Sequence, residues 1–175
     1  MIICGAAALQ KQTAKDFSSY GIPVIIGYGL TECSPIVICN NDSQPTADTV
    51  GKPLSGVQVK IISPDENGIG EIAVKGPMVM KGYYKNKEQT DKAIIDGWFY
   101  TGDLGCVDKN GNYSITGRCK NVIVTANGKN IYPEELEHYL SKESVIGECI
   151  VYCEGDDIIS AQILPSTEDI KKKLR

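Results

Sequence analysis

The sequence predicts a mixed α+β chain in three parts: the end of an α/β layer, a small antiparallel β-barrel-like subdomain, and a small α+β unit. Three observations predict it. Residues 2–26 run strand, helix, strand, the start of an α/β layer. From Val50 onward, several short strands follow at close spacing, punctuated by glycine. After Arg118 the texture changes to a hairpin, a proline-started helix, two strands and a last helix. The expected segments are therefore 1–47, 48–119 and 120–175.

In order along the chain, Ile2 and Ile3 read as the end of a buried strand. Leu9, Thr13, Phe17 and Tyr20 follow helical spacing, and Gly21 is a natural stop. "IPVII" at 22–26 reads as a short buried strand, followed by the glycine-bearing loop "GYGLTE" at 27–32. Val57, Val59 and Ile61 alternate as a half-buried strand, "SPDENGIG" has turn chemistry, and "EIAVKG" is the returning strand. Asn86, with Gln89 three residues on, predicts a capped short helix. "WFYTGDLGCVDKNGNYSITGR" predicts two strands joined at "DKNG". "NVIVTANGKNI" predicts a hairpin turning at Asn127-Gly128. Pro133 suits the first position of a helix with acids in its first turn. "ECIVYC" and "IISAQIL" are two further strands, and Ser166 with Asp169 has capping-box spacing. A last helix that runs only to residue 175 suggests a piece of something longer.

Composition narrows the chemistry. Apolar residues at 42% support a packed core and argue against wholesale disorder. A net charge of -4, with no basic stripe apart from Lys171, Lys172 and Lys173, points away from nucleic acid. No apolar run approaches a membrane span, and no signal-peptide pattern is evident. Seven cysteines without a C-x-x-C spacing read as reduced, small apolar residues of a cytoplasmic chain rather than a zinc site. His138 is the only histidine, so a Ser-His-Asp or Cys-His mechanism is disfavoured.

Three stretches could carry chemistry. In "GYGLTE", Gly27 and Gly29 would let backbone approach a flat ligand, and Tyr28 offers a ring face. Thr31 could donate to a phosphate oxygen, and Glu32 could hold Mg²⁺, which prefers oxygen ligands. The bland alternative is an ordinary turn with a cap at Thr31. In "YTGDL", Asp103 follows a glycine at a strand end, where a carboxylate can accept ribose hydroxyls or close an Asx-turn. In "GRCKNVIVTANGKNIYPEELE", Arg118 could reach ribose or phosphate, Lys120 sits where strand texture breaks, and Gly128 could simply supply a positive φ.

Taken together and in this order, these stretches resemble the adenylate-forming (AMP-binding) superfamily: acyl-CoA synthetases, luciferases and peptide-synthetase adenylation domains. "GYGLTE" matches the aromatic-G-x-T-E motif. "GEIAVKGPMVMKGYYKNKEQT", "GWFYTGDLG" and "GRCKNVIVTANGKNIYPEELE" resemble its three later motifs, and "CGAAAL" looks like a degraded G-G-A-P loop. The resemblance covers nearly the whole chain and looks closest to the long-chain fatty acid branch, as a C-terminal portion.

The resemblance implies a ligase that makes acyl-AMP from a carboxylic acid and Mg·ATP, then passes the acyl group to CoA. An acyl carrier protein is an alternative acceptor, and a non-catalytic nucleotide-binding module is an alternative role. By resemblance, Tyr28 and Gly29 belong beside the adenine and AMP. Thr31 contacts phosphate and Glu32 ligates Mg²⁺. Asp103 binds ribose with Arg118 close by, Lys120 is the hinge of a C-terminal lid, and Gly128 lies in the loop that such lids bring to the thioester-forming face. An adenosine held by groups from all three stretches is the central expectation. The family's T-S-G-T-T-G-type phosphate loop and its lid lysine motif do not occur in the chain. The 175 residues by themselves are therefore expected not to turn over.

Overall fold

The structure, a computed structural model, describes residues 2–5, 9, 11–40, 49–155 and 158–173. It divides into two compact units, Met1–Ile115 and Thr116–Arg175. The expected boundary at 47 lies outside the described residues. The expected boundary at 119 falls four residues beyond the end of the first unit.

The first unit begins with strand β1 (Ile2–Cys4), helix α1 (Lys11–Ser19) and strand β2 (Val24–Gly29). β1 and β2 pair in parallel, Ile2 opposite Val24, which requires the crossover that α1 supplies. Val24 and Ile26 are buried. The helix differs from expectation in its buried face. Ala14 is fully buried, whereas Phe17 is 38% and Tyr20 81% exposed.

The glycine-bearing stretch also differs. The strand continues through Gly29 instead of ending at Ile26, because its backbone finds a partner in β3 (Ile36–Cys39). Gly27 lies opposite Cys39 and Tyr28 opposite Ile38. A one-turn 3₁₀ helix, Thr31–Cys33, connects the two, and β4 (Lys52–Pro53) extends the sheet beyond β3. Tertiary pairing here overrides the low strand propensity of glycine.

A curled antiparallel sheet follows. It contains β5 (Gln58–Ile62), β6 (Gly70–Lys75), β7 (Ile94–Ile95) and β8 (Trp98–Val107), in the order β5-β6-β8-β7. Strand β9 (Tyr113–Arg118) also pairs with β8. The turns are built as the sequence predicts. Asp65 accepts the N–H groups of Asn67 and Ile69, and Asp108 accepts those of Asn110 and Asn112. Helix α2 (Lys87–Ala93) starts at Asn86, whose side chain accepts the Gln89 N–H at 3.1 Å. Cys33, Val37 and Ile38 form one buried cluster with Ile72, Val74, Phe99 and Tyr113. Residues on either side of position 47 thus share a core, which holds the glycine-bearing stretch against the curled sheet.

The second unit takes the remaining elements. A 3₁₀ turn at Cys119–Asn121 precedes the hairpin β10 (Ile123–Val124) and β11 (Asn130–Ile131). Helix α3 (Pro133–Leu140) begins with proline, followed by Glu134 and Glu135 in its first turn. β12 (Ile146–Glu154) and β13 (Ile158–Pro165) pair antiparallel. Glu137 ties the helix to this sheet by accepting the Val151 N–H at 2.8 Å. In α4 (Thr167–Lys173) the Ser166 hydroxyl donates to Asp169 at 2.9 Å. Among the described residues no helix is long and apolar enough to cross a membrane.

Candidate functional site

Asp103 is placed by an irregularity in the curled sheet. Ala73 pairs with Tyr100 and Glu71 with Leu104. Opposite the single residue Ile72, β8 therefore supplies Thr101, Gly102 and Asp103. Such a bulge re-aims the side chains that follow it. Gly102 takes φ +71°, open to glycine without strain. The Thr101 hydroxyl donates to the Ile72 carbonyl at 2.8 Å and accepts the Asp103 N–H at 3.0 Å. Glu71 Oε1 accepts the Gly102 N–H at 2.9 Å.

The re-aimed carboxylate meets β2. Tyr28 Oη donates to Asp103 Oδ2 at 2.6 Å, with Asp103 buried and Tyr28 half-buried. Burial, and then the bond to Asp103, push the Tyr28 phenol well above its ordinary range. Tyr28 is consequently a fixed hydrogen-bond donor, not a base. The two glycines flanking it differ. A Cβ on Gly29 would lie 1.7 Å from the Pro35 carbonyl oxygen, so the close approach of the 35–36 backbone requires glycine. A Cβ on Gly27 would meet only ordinary contacts, the nearest at 3.7 Å. Packing within the protein does not demand glycine there.

Three residues further on, Thr31 is exposed, and no hydrogen bond of its hydroxyl occurs among the described residues. Glu32 is half-buried. Its backbone carbonyl accepts the Met80 N–H at 2.8 Å, and its Oε1 accepts Tyr83 Oη at 3.1 Å. Burial and that bond raise the Tyr83 phenol. Cys33 is fully buried, and burial with the nearby Glu32 charge pushes its thiol up to about 11, so it stays protonated and is no nucleophile.

Among the described residues no group of three or more His, Cys, Asp or Glu side chains could cage a metal ion. The donor set still suits Mg²⁺ bound through one carboxylate and the oxygens of a phosphate ligand, the usual arrangement for that ion. Glu32 is the residue with that chemistry at the end of β2.

The predicted residues of the second unit sit in its first segments. Arg118 ends β9 and is exposed. Lys120 is the central residue of the exposed 3₁₀ turn. Asn121, next to it, donates to Glu134 at 2.6 Å. Gly128 has φ +75° in the hairpin turn, where its N–H donates to the Thr125 carbonyl at 2.8 Å. That conformation accounts for the glycine without a ligand. Of the three stretches expected to converge, the structure brings the first two into contact at Tyr28 and Asp103. The third belongs to the other unit. Residues 6–8 of the "CGAAAL" stretch lie outside the described residues.

Sequence reasoning missed Glu71, Thr101 and Tyr83 as parts of this site. Glu71 and Tyr83 lie inside the quoted motifs, but their partners are 31 and 51 residues away. Only the fold reveals such pairs.

The chain is similar to known proteins in sequence and in fold. Residues 1–84 match the AMP-binding enzyme family. The chain is 38% identical over 161 residues to the long-chain-fatty-acid–CoA ligase FadD15 of Mycobacterium bovis, covering 92% of this chain and 26% of that protein. It is 33% identical over 187 residues to the long-chain-fatty-acid–[acyl-carrier-protein] ligase AEE15, chloroplastic, of Arabidopsis thaliana, covering 97% and 26%. Among solved structures it resembles o-succinylbenzoate CoA synthetase (MenE) from Bacillus subtilis in complex with the acyl-adenylate intermediate OSB-AMP. That similarity has a TM-score of 0.86 at 28% identity and covers 99% of this chain and 38% of the other. The same enzyme in complex with ATP and magnesium ion gives 0.82 at 27% identity, covering 98% and 38%. The chain spans about a quarter of the length of the curated relatives it matches.

Proposed function

The chain belongs to the AMP-binding enzyme family, and from that premise we propose that it is part of an ATP-dependent carboxylic acid:CoA ligase acting on fatty acids. In the first step a carboxylate oxygen attacks the α-phosphorus of ATP. The new O–P bond gives acyl-AMP, and the bond to the β-phosphate oxygen breaks to release pyrophosphate. In the second step a thiolate attacks the acyl carbon and AMP leaves. A carboxylate is a poor electrophile, and AMP makes the acyl carbon a good one. The protein's work is positioning and charge stabilisation.

In this reading Asp103 accepts the ribose hydroxyls while the Tyr28 hydroxyl holds its Oδ2. Gly27, Gly29 and the Tyr28 ring lie beside the adenine. Thr31 donates to phosphate, and Glu32 ligates Mg²⁺, which when bound neutralises phosphate charge. Arg118 (ribose), Lys120 (hinge) and Gly128 (thioester-face loop) take the roles the resemblance implies. The observation that carries the reading is the 2.6 Å bond between Tyr28 and Asp103, which joins two motifs 75 residues apart in one part-buried corner. Seven free cysteines support a reducing compartment such as the cytoplasm. Because these residues span about a quarter of their relatives' length, we expect them to show no pyrophosphate exchange as a separate polypeptide.

One observation favours a second acceptor. The relative AEE15 is named as a ligase to acyl carrier protein. The deciding experiment supplies the full-length protein with Mg·ATP, a panel of fatty, aryl and amino acids, and either CoA or holo-acyl carrier protein. Acyl-CoA from fatty acids is the expected product. Product only with carrier protein would replace CoA as acceptor, and nucleotide binding with no product from any acid would leave a binding module.

A further inference from the structure

The bulge that aims Asp103 has two side-chain supports, Glu71 and Thr101, that have no ligand role in the reading above. Where β8 places three residues against Ile72, the regular ladder is interrupted and the intervening N–H groups need other acceptors. Glu71 Oε1 takes the Gly102 N–H at 2.9 Å. The Thr101 hydroxyl takes the Asp103 N–H at 3.0 Å while donating to the Ile72 carbonyl at 2.8 Å. Thr101 and Asp103 are 7% and 8% exposed, so water is a poor substitute for the Thr101 hydroxyl. Glu71 and Gly102 are half-buried.

We propose that Glu71 is a positioning residue for nucleotide ribose, acting with Thr101 through the bulge to hold Asp103 in its ribose-accepting direction. The proposal rests on the reading of Asp103 as the ribose acceptor. Glu71 touches no substrate. Its contribution is an acceptor oxygen within reach of the Gly102 N–H, so an amide oxygen at the same place serves as well. With no acceptor there, the half-buried Gly102 N–H loses its partner. The bulge relieves this by shifting, and Asp103, the next residue, turns with it.

The test measures the affinity of the full-length protein for ATP and for 2′,3′-dideoxy-ATP by calorimetry. Wild type prefers ATP, because only ATP has hydroxyls for Asp103. Glu71→Leu lowers that preference by about tenfold, the scale of one charge-assisted hydrogen bond, and leaves dideoxy-ATP affinity unchanged. Glu71→Gln keeps the wild-type preference. Thr101→Val lowers it as Glu71→Leu does, and Thr101→Ser keeps it. Should Glu71→Leu not fold, the Thr101 pair decides. A wild-type preference in the Leu and Val variants overturns the proposal, as does a Gln variant that loses as much as Leu. A wild type that binds both nucleotides equally refutes the ribose reading itself, and the proposal with it.

Discussion

At the scale of single residues, Tyr28 is fixed as a donor. Its phenol is raised above its ordinary value of 10.0 by burial first and by Asp103 second. The sign of the linkage follows. As pH rises, the unfolded chain gives up this proton before the folded one, so the stability tied to the neutral phenol is full below about pH 10 and declines above it. Cys33 acts in the same direction, with a folded value of about 11 against an ordinary 9.0. Urea midpoints are therefore expected to fall from pH 9 upward, and Tyr28→Phe flattens the part above pH 10. An identical slope in wild type and Tyr28→Phe means the phenol is not held as described. The chemical identity of these residues was legible in the sequence: a tyrosine between glycines, a carboxylate after glycine. Their pairing was not, because 75 residues of chain separate Tyr28 from Asp103 and no local rule joins them.

At the scale of elements, the two glycines of β2 have separable roles. Gly29→Ala drives a methyl into the Pro35 carbonyl, and the β2–β3 pairing has to open. The expected cost is about 3 kcal/mol or more, the upper end for overpacking, read from chemical denaturation. Gly27→Ala meets only contacts of 3.7 Å and beyond, so its expected stability change is under about 1 kcal/mol. Nucleotide affinity should nonetheless fall in Gly27→Ala if a flat ligand lies against that backbone. Unchanged affinity removes Gly27 from the site. Strands β5, β6, β8 and β9, the Asn86 cap, the Asp65 and Asp108 turns and the Pro133 helix start were legible, because each rests on neighbours within a few residues, whereas β7, two residues directly after a helix, was not. The Thr101–Asp103 bulge was not legible. A sequence displays alternation, but the excess of three residues over one exists only once β8 is laid against β6. The strand at Ile36–Cys39 is hard to read from sequence for a related reason, since four apolar residues carry no period of their own.

At the scale of the whole molecule, two compact units meet in sequence between Ile115 and Thr116, and Lys120 lies just after that point in an exposed 3₁₀ turn. If the turn is a hinge, its backbone torsions change between the two half-reactions. Lys120→Pro fixes φ near −65° and should slow one half-reaction more than the other. Pyrophosphate exchange reports the first, and thioester formation from supplied acyl-AMP the second. Equal losses in both contradict a hinge there. The family was legible from ordered motifs, whereas the division of the chain after Ile115 rather than at 119 depends on which contacts each residue finally makes. The claim on which the rest depends is that Asp103 grips the ribose of ATP. Calorimetric titration of ATP into the full-length protein and its Asp103→Ala variant tests it, with circular dichroism confirming that both are folded. A loss of roughly 1.5–3 kcal/mol in binding free energy is predicted, and equal affinity in the two proteins contradicts the account.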